Sequence, residues 1–282
     1  MTSNLWIVIP VFNRKSFTRE CLQALRKQTV QHFTTVVVDD GSTDGTPDML
    51  RAEFPEVVLI DGGGDLFWTA AVNMGIQHAL DNGATCVMTL NNDTLPTEDF
   101  IEKSLQAHRA QPTAVIGALE IDAHTKQIIY GGETIDWVLA TARQLPHATA
   151  DGQQTGLQPV SWLPGRGLLI PRAVFEKIGL IDVKRFPHYY ADVDFTHTAL
   201  RNGFPNFINY DAKLMTYPEE SGDRKNKVKK SLKNYYNHLF SIKGGGNLRD
   251  FTRFTLKNCP FYFIPTYLII GYLRRMGGYF IH

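Results

Sequence analysis

Within about its first 110 residues the chain alternates four times between a short apolar run and a longer segment with apolar residues at helical spacing. Leu5–Ile9, ended by Pro10, reads as a buried strand, and Phe17, Cys21, Leu22 and Leu25 follow on one helical face. Thr35–Val38 is the second strand and runs into Asp39-Asp40-Gly41-Ser42; Thr46 then reads as an N-cap with Pro47 in the first helical position. Val57–Ile60 is a third strand. Trp68, Ala71, Val72, Gly75, Ile76, Ala79 and Leu80 form a helical stripe that Gly83 stops. Thr85–Leu90 and Glu98–Arg109 complete the fourth pair. Such alternation implies parallel strands joined by right-handed crossovers, with helices on both faces of the sheet. Ligands of such sheets lie beyond the carboxyl ends of the strands. Pro10–Asn13, Asp39–Ser42, Asp61–Asp65 and Asn91–Asp93 are therefore expected to converge.

Beyond this region the periodicity weakens. From about 114 to 170 short strands and Gly/Pro turns suggest a mixed extension of the sheet, and Tyr189–Asn202 reads as a helix closed by Gly203. From Ser221 onward a Lys-rich stretch leads into amphipathic, helix-like sequence rich in Tyr, Phe and Leu. A chain of 282 residues can bury one large core, or one catalytic domain with a small appendage. The division expected is a domain over 1–220 and a basic, amphipathic helical region over 221–282.

The net charge of +1 conceals an asymmetry: residues 213–282 carry 13 Lys/Arg against 4 Asp/Glu, and residues 1–212 carry 16 against 24. A basic end of this kind is either a solvated face, an oligomer interface, or a contact with an anionic membrane surface or lipid diphosphate. The apolar run from Phe261 to Leu273, interrupted by Pro265 and Gly271, falls short of the roughly 20 residues that span a bilayer. No signal peptide is expected, and Cys21, Cys86 and Cys259 lack metal or redox spacing, which suits packed thiols in a reducing compartment. A cytoplasmic protein, peripheral on the inner face of the membrane if its basic end binds lipid, is the expectation.

Three motifs carry chemistry. In Val36–Thr46, two adjacent carboxylates stand at a strand end with glycine behind them, able to accept hydrogen bonds from a ribose hydroxyl or a base N–H. The same residues also serve ordinary turns and caps. Ile7-Val-Ile-Pro-Val-Phe-Asn-Arg14 precedes this segment, and Leu90-Asn-Asn-Asp-Thr94 follows on another strand end. Further on stand Trp162-Leu-Pro-Gly-Arg-Gly167 and Phe186-Pro-His-Tyr-Tyr-Ala-Asp-Val-Asp-Phe195.

Over residues 4–215 or so, these motifs in this order resemble the large inverting GT-A glycosyltransferase family two, especially its bacterial polysaccharide and rhamnosyltransferase-like members. The resemblance implies an α/β GT-A fold: a mostly parallel Rossmann-like sheet with helices on both faces, here with a helical C-terminal extension. It implies a nucleotide-sugar half at about 1–110 and an acceptor half at about 111–220. By the same resemblance Pro10, Phe12 and Asn13 line the nucleotide pocket, Asp39 and Asp40 contact base and ribose, Trp68 and Asn73 fall where the family closes over the nucleotide, and Asn92 binds the donor from the metal-motif position. Trp68 equally fits the apolar helix stripe. Asp93 falls at the metal motif, where Mg2+ or Mn2+ would bridge a diphosphate, although Asn91 replaces the motif's first carboxylate. Asp192 matches the general base that takes the acceptor's proton, with Ala191 in place of the family's Glu; Asp194 is expected as a structural cap or as a residue supporting the site from behind. Gly165, Arg166 and Tyr190 fall on the acceptor side. The stretch Met215–Glu220 lacks the His that relatives offer as an extra metal ligand.

The partners implied are a nucleotide-sugar donor and a glycan or lipid-linked glycan acceptor, with no nucleic acid. A P-loop and a G-x-G-x-x-G fingerprint are both missing from the sequence. A sugar-phosphate nucleotidyltransferase would carry a Gly-rich basic loop where Pro10–Arg14 stands. A non-catalytic relative that binds a nucleotide sugar or a partner enzyme is the alternative.

Overall fold

The computed structural model describes residues 4–146, 148–149, 152–218, 231–242 and 244–281. The Lys-rich stretch from 221 to 230 lies outside them. The first half runs β1 (Leu5–Val11), α1 (Lys15–Arg26), β2 (Phe33–Asp39), α2 (Thr46–Glu53), β3 (Val58–Asp61), α3 (Phe67–Asp81), β4 (Cys86–Thr89), β5 (Thr94–Pro96) and α4 (Phe100–Ala110). The second half runs β6 (Val115–Asp122), β7 (Ile128–Tyr130), β8 (Glu133–Asp136), β9 (Thr141–Gln144), β10 (Ala148–Thr149), β11 (Gly152–Gln153), β12 (Leu157–Pro159), β13 (Leu168–Pro171), α5 (Arg172–Ile178), α6 (Ala191–Arg201) and β14 (Asn206–Thr216). Among the described residues three α-helices follow, α7 (Leu232–Phe240), α8 (Leu248–Asn258) and α9 (Ile264–Ile281), with a 3-10 turn at Phe261–Phe263 before the last.

The main sheet has the order β12-β14-β6-β13-β4-β1-β2-β3. β3, β2, β1 and β4 pair in parallel, and β6 pairs in parallel with β14. Between the two groups β13 runs antiparallel to both β4 and β6, so both groups point the same way. The carboxyl ends of the parallel strands and the amino end of β13 therefore share one edge. The sequence anticipated a mixed extension, but not that its antiparallel strand would be inserted into the centre of the sheet.

Both faces are covered. Along β1, Leu5, Ile7 and Ile9 pack with α1, α2 and α4, while Trp6 and Val8 pack with α3, α5 and α6. Two-sided burial is why the parallel strands read as unbroken apolar runs rather than alternating ones. Gly75 sets the closeness of α3, because a Cβ there would stand 2.4 Å from Val8 Cγ1.

Some boundaries differ from the sequence reading. Thr46 is the first residue of α2 and not its cap; Gly45 occupies the cap position in the left-handed region. The carboxylate of Asp44 supplies the missing acceptor, taking the Thr46 N–H at 3.1 Å and the Lys15 N–H of α1 at 2.8 Å. One side chain thus satisfies an orphan donor at the start of two helices. Pro265 does not break the last helix. It stands in the opening turn of α9, where proline's missing N–H costs nothing.

The C-terminal helices pack against α6 and the β8–β9 hairpin. Lys257 Nζ and Asn258 Nδ2 of α8 donate to the buried Asp194 carboxylate at 2.6 and 2.8 Å. Trp137 of the hairpin lies against Phe254 and Tyr267, and Arg275 donates to the Tyr190 hydroxyl. Cys21, Cys86 and Cys259 are buried free thiols. Among the described residues no helix is long and apolar enough to cross a membrane.

Candidate active site

Along the shared edge lies a cleft of about 640 Å3, a size that suits a bound small molecule. Its walls come from the end of β1 and the loop after it (Pro10, Phe12, Arg14), from Asp40 after β2, and from Gly64, Asp65, Phe67 and Trp68 before and into α3. Asn91–Asp93 after β4, Pro164–Arg166 before β13, and His188, Tyr189 and Asp192 at the start of α6 close it. Each strand-end segment expected to converge contributes.

The Asp40 carboxylate is held from one side by backbone. It accepts from the amides of Gly64 at 2.9 Å, Leu66 at 3.0 Å and Phe67 at 3.1 Å. This fixes the loop that carries Phe67 and Trp68 into the cleft wall. Asp39 instead turns to its own loop: Ser42 Oγ donates to it, and the Asn13 amide donates to Ser42 Oγ at 2.6 Å. The Asn13 side chain accepts from the Thr43 amide at 2.9 Å. Asn13 and Asp39 therefore brace the loops and do not line the cleft. Backbone strain collects around the same edge, with Asn13, Arg14, Phe67 and Tyr190 all at positive φ between 56° and 65°.

Trp68 Nε1 donates to Asn91 Oδ1 at 2.9 Å, which spans from α3 to the end of β4. The residue lines the cleft and also packs against the core. Asn92 lines the cleft while donating to Thr18 Oγ1 at 3.0 Å. Asn73 is turned away. Its side chain exchanges hydrogen bonds of 2.8 and 3.1 Å with the backbone of Ile181, tying α3 to the loop after α5. Tyr190 is also outside the lining, committed to Arg275 and Phe254.

Gly165 joins the two halves of the site. Its amide donates to Asp192 Oδ2 at 2.9 Å, and its carbonyl accepts from Thr89 Oγ1 at 2.7 Å. A Cβ at this position would stand 2.5 Å from the Trp68 ring and 3.5 Å from Asp192 Cβ. Gly165→Ala should therefore displace the indole and loosen ligand binding in the cleft, read as a smaller thermal shift with nucleotides; an unchanged shift would show that the ring is free to move.

Asp192 stands in the first turn of α6, where the helix dipole favours a negative charge. Its other oxygen accepts from the Val193 amide at 2.9 Å. Burial nevertheless raises its pKa above the ordinary carboxylate value, against the lowering effects of the two amides and of Arg166. A raised carboxylate pKa is a feature of bases tuned toward neutral pH.

Arg166 forms an ion pair at 2.7 Å with Glu120, whose side chain is wholly buried on β6. Burial raises the pKa of Glu120, with Arg166 opposing that shift. Sequence reasoning missed Glu120; the signal was a lone acid inside the apolar run Val115–Ile121. It also left Arg14 without a role. Arg14 Nη1 lies 2.6 Å from Asp93 Oδ2.

That pairing bears on metal binding. At the end of β4 the donor set is one carboxylate, Asp93, beside the Asn91 and Asn92 side chains, and among the described residues no three His, Cys, Asp or Glu side chains cluster for an ion. Such a set fits a hard divalent ion that arrives with phosphates and keeps water ligands, and does not fit a preformed protein cage.

The family model of glycosyl transferase family 2 matches residues 6–179. N-acetylglucosaminyl-diphospho-decaprenol L-rhamnosyltransferase of Mycobacterium tuberculosis is 27% identical over 225 residues, covering 69% of each chain. The low-salt glycan biosynthesis hexosyltransferase Agl10 of Haloferax volcanii is 25% identical over 167 residues, covering 59% of this chain and 53% of its own. Among solved structures, S. aureus TarS aligns over 98% of this chain and 55% of its own at 12% identity, with a TM-score of 0.59. GalNAc-T7, solved with UDP, GalNAc and Mn2+, aligns over 97% and 56% at 14% identity, with a TM-score of 0.64. The chain thus spans about half the length of those two structures. Their likeness establishes the fold, the GT-A arrangement of a mostly parallel sheet between two layers of helices.

Proposed function

The chain belongs to glycosyl transferase family 2, and on that premise we propose that it transfers one sugar from a nucleotide diphosphate sugar to a hydroxyl of a glycan or lipid-linked glycan, with inversion at the anomeric carbon. One observation carries this reading: Asp40, Trp68, Asp93 and Asp192 line a single cleft, with Gly165 against both Trp68 and Asp192. The nucleotide occupies the side lined by Pro10, Phe12, Asp40 and Trp68, and the acceptor enters beside Gly165, Arg166 and Asp192. The acceptor oxygen forms its bond to the anomeric carbon as the bond from that carbon to the diphosphate breaks on the opposite face. Asp192 takes the hydroxyl proton, and the nucleoside diphosphate departs with the bond's electron pair. Arg14, paired with Asp93 on the donor side, supplies positive charge for that departing group.

A divalent ion held by Asp93, either Mg2+ or Mn2+, would add positive charge at the diphosphate. Support comes from the UDP and Mn2+ of the GalNAc-T7 structure and from the donor chemistry of Asp93. The rhamnosyltransferase relative makes dTDP-rhamnose a candidate donor beside UDP-sugars, and makes a polyprenyl-diphosphate-linked sugar a candidate acceptor in cell-envelope polysaccharide synthesis. A lipid-linked acceptor would place the enzyme on the inner face of the membrane.

The test is a thermal-shift and calorimetric screen of UDP-, dTDP- and other nucleotide sugars with Mg2+, followed by release of nucleoside diphosphate in the presence of acceptor. Wild-type donor affinity should fall on adding EDTA, and Asp93→Ala should bind donor weakly with or without it. Equal wild-type affinities in Mg2+ and EDTA would remove the ion from the proposal. The Arg14–Asp93 pair favours a second reading, a nucleotide-sugar-binding relative without turnover. Donor binding with no diphosphate release for any acceptor would select it.

A further inference from the structure

Large exposed apolar side chains concentrate at the C-terminal end of this protein. On α7, Leu232, Tyr236 and Phe240 recur every four residues and are 86%, 64% and 53% exposed. On α9, Ile269, Leu273 and Met276 form an outward stripe, and Phe261 and Tyr262 stand in solvent in the turn before it. The two helices touch, with the Tyr235 hydroxyl donating to the Met276 carbonyl at 3.1 Å. These side chains are additional to the core of the unit, where Phe251, Tyr267 and Cys259 are already buried.

The helices that carry this apolar surface are basic. Among the described residues from 231 onward stand Lys233, Arg249, Arg253, Lys257, Arg274 and Arg275, and the one acid, Asp250, is buried. In the sequence, residues 221–230 before α7 hold five Lys/Arg against one Asp. Lys257 and Arg253 pair with Asp194 and Asp250 inside the protein; the remaining charge of the face is still basic, so two copies of it would repel, which opposes self-association. An anionic lipid surface supplies what the face lacks: phosphates for the basic groups and an interfacial layer for Tyr, Phe and aliphatic side chains.

We propose that α7–α9, with the turn before α9, dock the protein on an anionic bilayer by lying in its interface. The docked unit is joined to the start of α6 through Lys257–Asp194 and Arg275–Tyr190, two residues either side of Asp192. That linkage keeps the cleft at the lipid surface, where a lipid-diphosphate acceptor is held. The orientation rests on the acceptor proposed above; the docking itself does not.

Flotation of the full chain tests it. With vesicles of equal phosphatidylglycerol and phosphatidylcholine at low salt the protein should float. It should stay behind with phosphatidylcholine alone, and high salt should release it. Replacing three exposed side chains together, by Tyr262→Ser, Ile269→Ser and Leu273→Ser, should lower the partition coefficient by about tenfold or more, with melting temperature and nucleotide binding unchanged. Failure of the wild type to float, or unchanged flotation of the triple variant, overturns the docking. So does a wild-type dimer, seen by light scattering, that these substitutions split while no flotation occurs. Normal nucleotide binding without flotation rejects docking alone, and flotation without any nucleotide binding rejects the transferase reading alone.

Discussion

Asp192→Asn is expected to slow sugar transfer by about 10²–10⁴-fold, the usual worth of a general base. Donor affinity and melting temperature should stay near their wild-type values. The substitution keeps size and one acceptor oxygen for the Gly165 or Val193 amide, which the wild-type carboxylate meets at 2.9 Å each. It removes the capacity to hold a proton taken from the acceptor, and with it one of the two amide hydrogen bonds, which lowers the melting temperature by no more than about a few degrees. The wild-type pH profile follows from the same group. Burial raises its pKa, so kcat/KM should fall as pH drops through that raised value, since the base is then protonated before the acceptor binds. The Asn variant's residual rate should lack this acid limb. Were Asp192 only a cap of α6, Asn would serve about as well, and near-normal turnover would remove it from the mechanism.

Arg166→Met should produce the largest loss of stability, about 3–5 kcal/mol, because it strips the counter-charge from a carboxylate with no exposed surface. For a chain of this size that corresponds to a fall in melting temperature of roughly 10 °C. The deficit should depend on pH with a definite sign. Glu120 already has a raised pKa from burial, and losing Arg166 raises it further. The folded state then binds that proton more tightly than the unfolded chain does. Stability of the variant is thus best retained at low pH and declines as pH rises from the unfolded toward the folded pKa. Replacing both partners with methionine should recover most of the loss, since two apolar side chains leave no uncompensated charge. Thermal unfolding of both variants from acid to neutral pH checks this, and an Arg166→Met protein that melts like wild type would mean that water reaches Glu120.

The alternation of buried strands and amphipathic helices up to Arg109 was legible because it depends on spacing along the chain. Parallel pairing, helices on both faces and the convergence of Phe12, Asp40, Gly64 and Asp93 on one edge all follow from that spacing and from chirality. Asp192 was legible only through resemblance, since one acid at a helix start is equally a cap. Boundaries slipped where a distant or neighbouring side chain did the capping, as Asp44 does for Thr46 and Lys15.

What tertiary structure alone decided are the long-range pairings. β13 enters antiparallel between β4 and β6, and this brings Gly165 between Trp68 and Asp192 and sets Arg166 against Glu120. Asn73, which the motif assigned to the donor, is spent on the Ile181 backbone, and Tyr190 on Arg275. Arg14 takes one oxygen of Asp93. Residue type and local period state what a side chain can do. Which partner it meets depends on segments tens of residues away, whose register is set by packing of the whole sheet. For the same reason the amphipathic pattern of α7 and α9 specifies two apolar stripes, and only the packed structure reveals that they face outward.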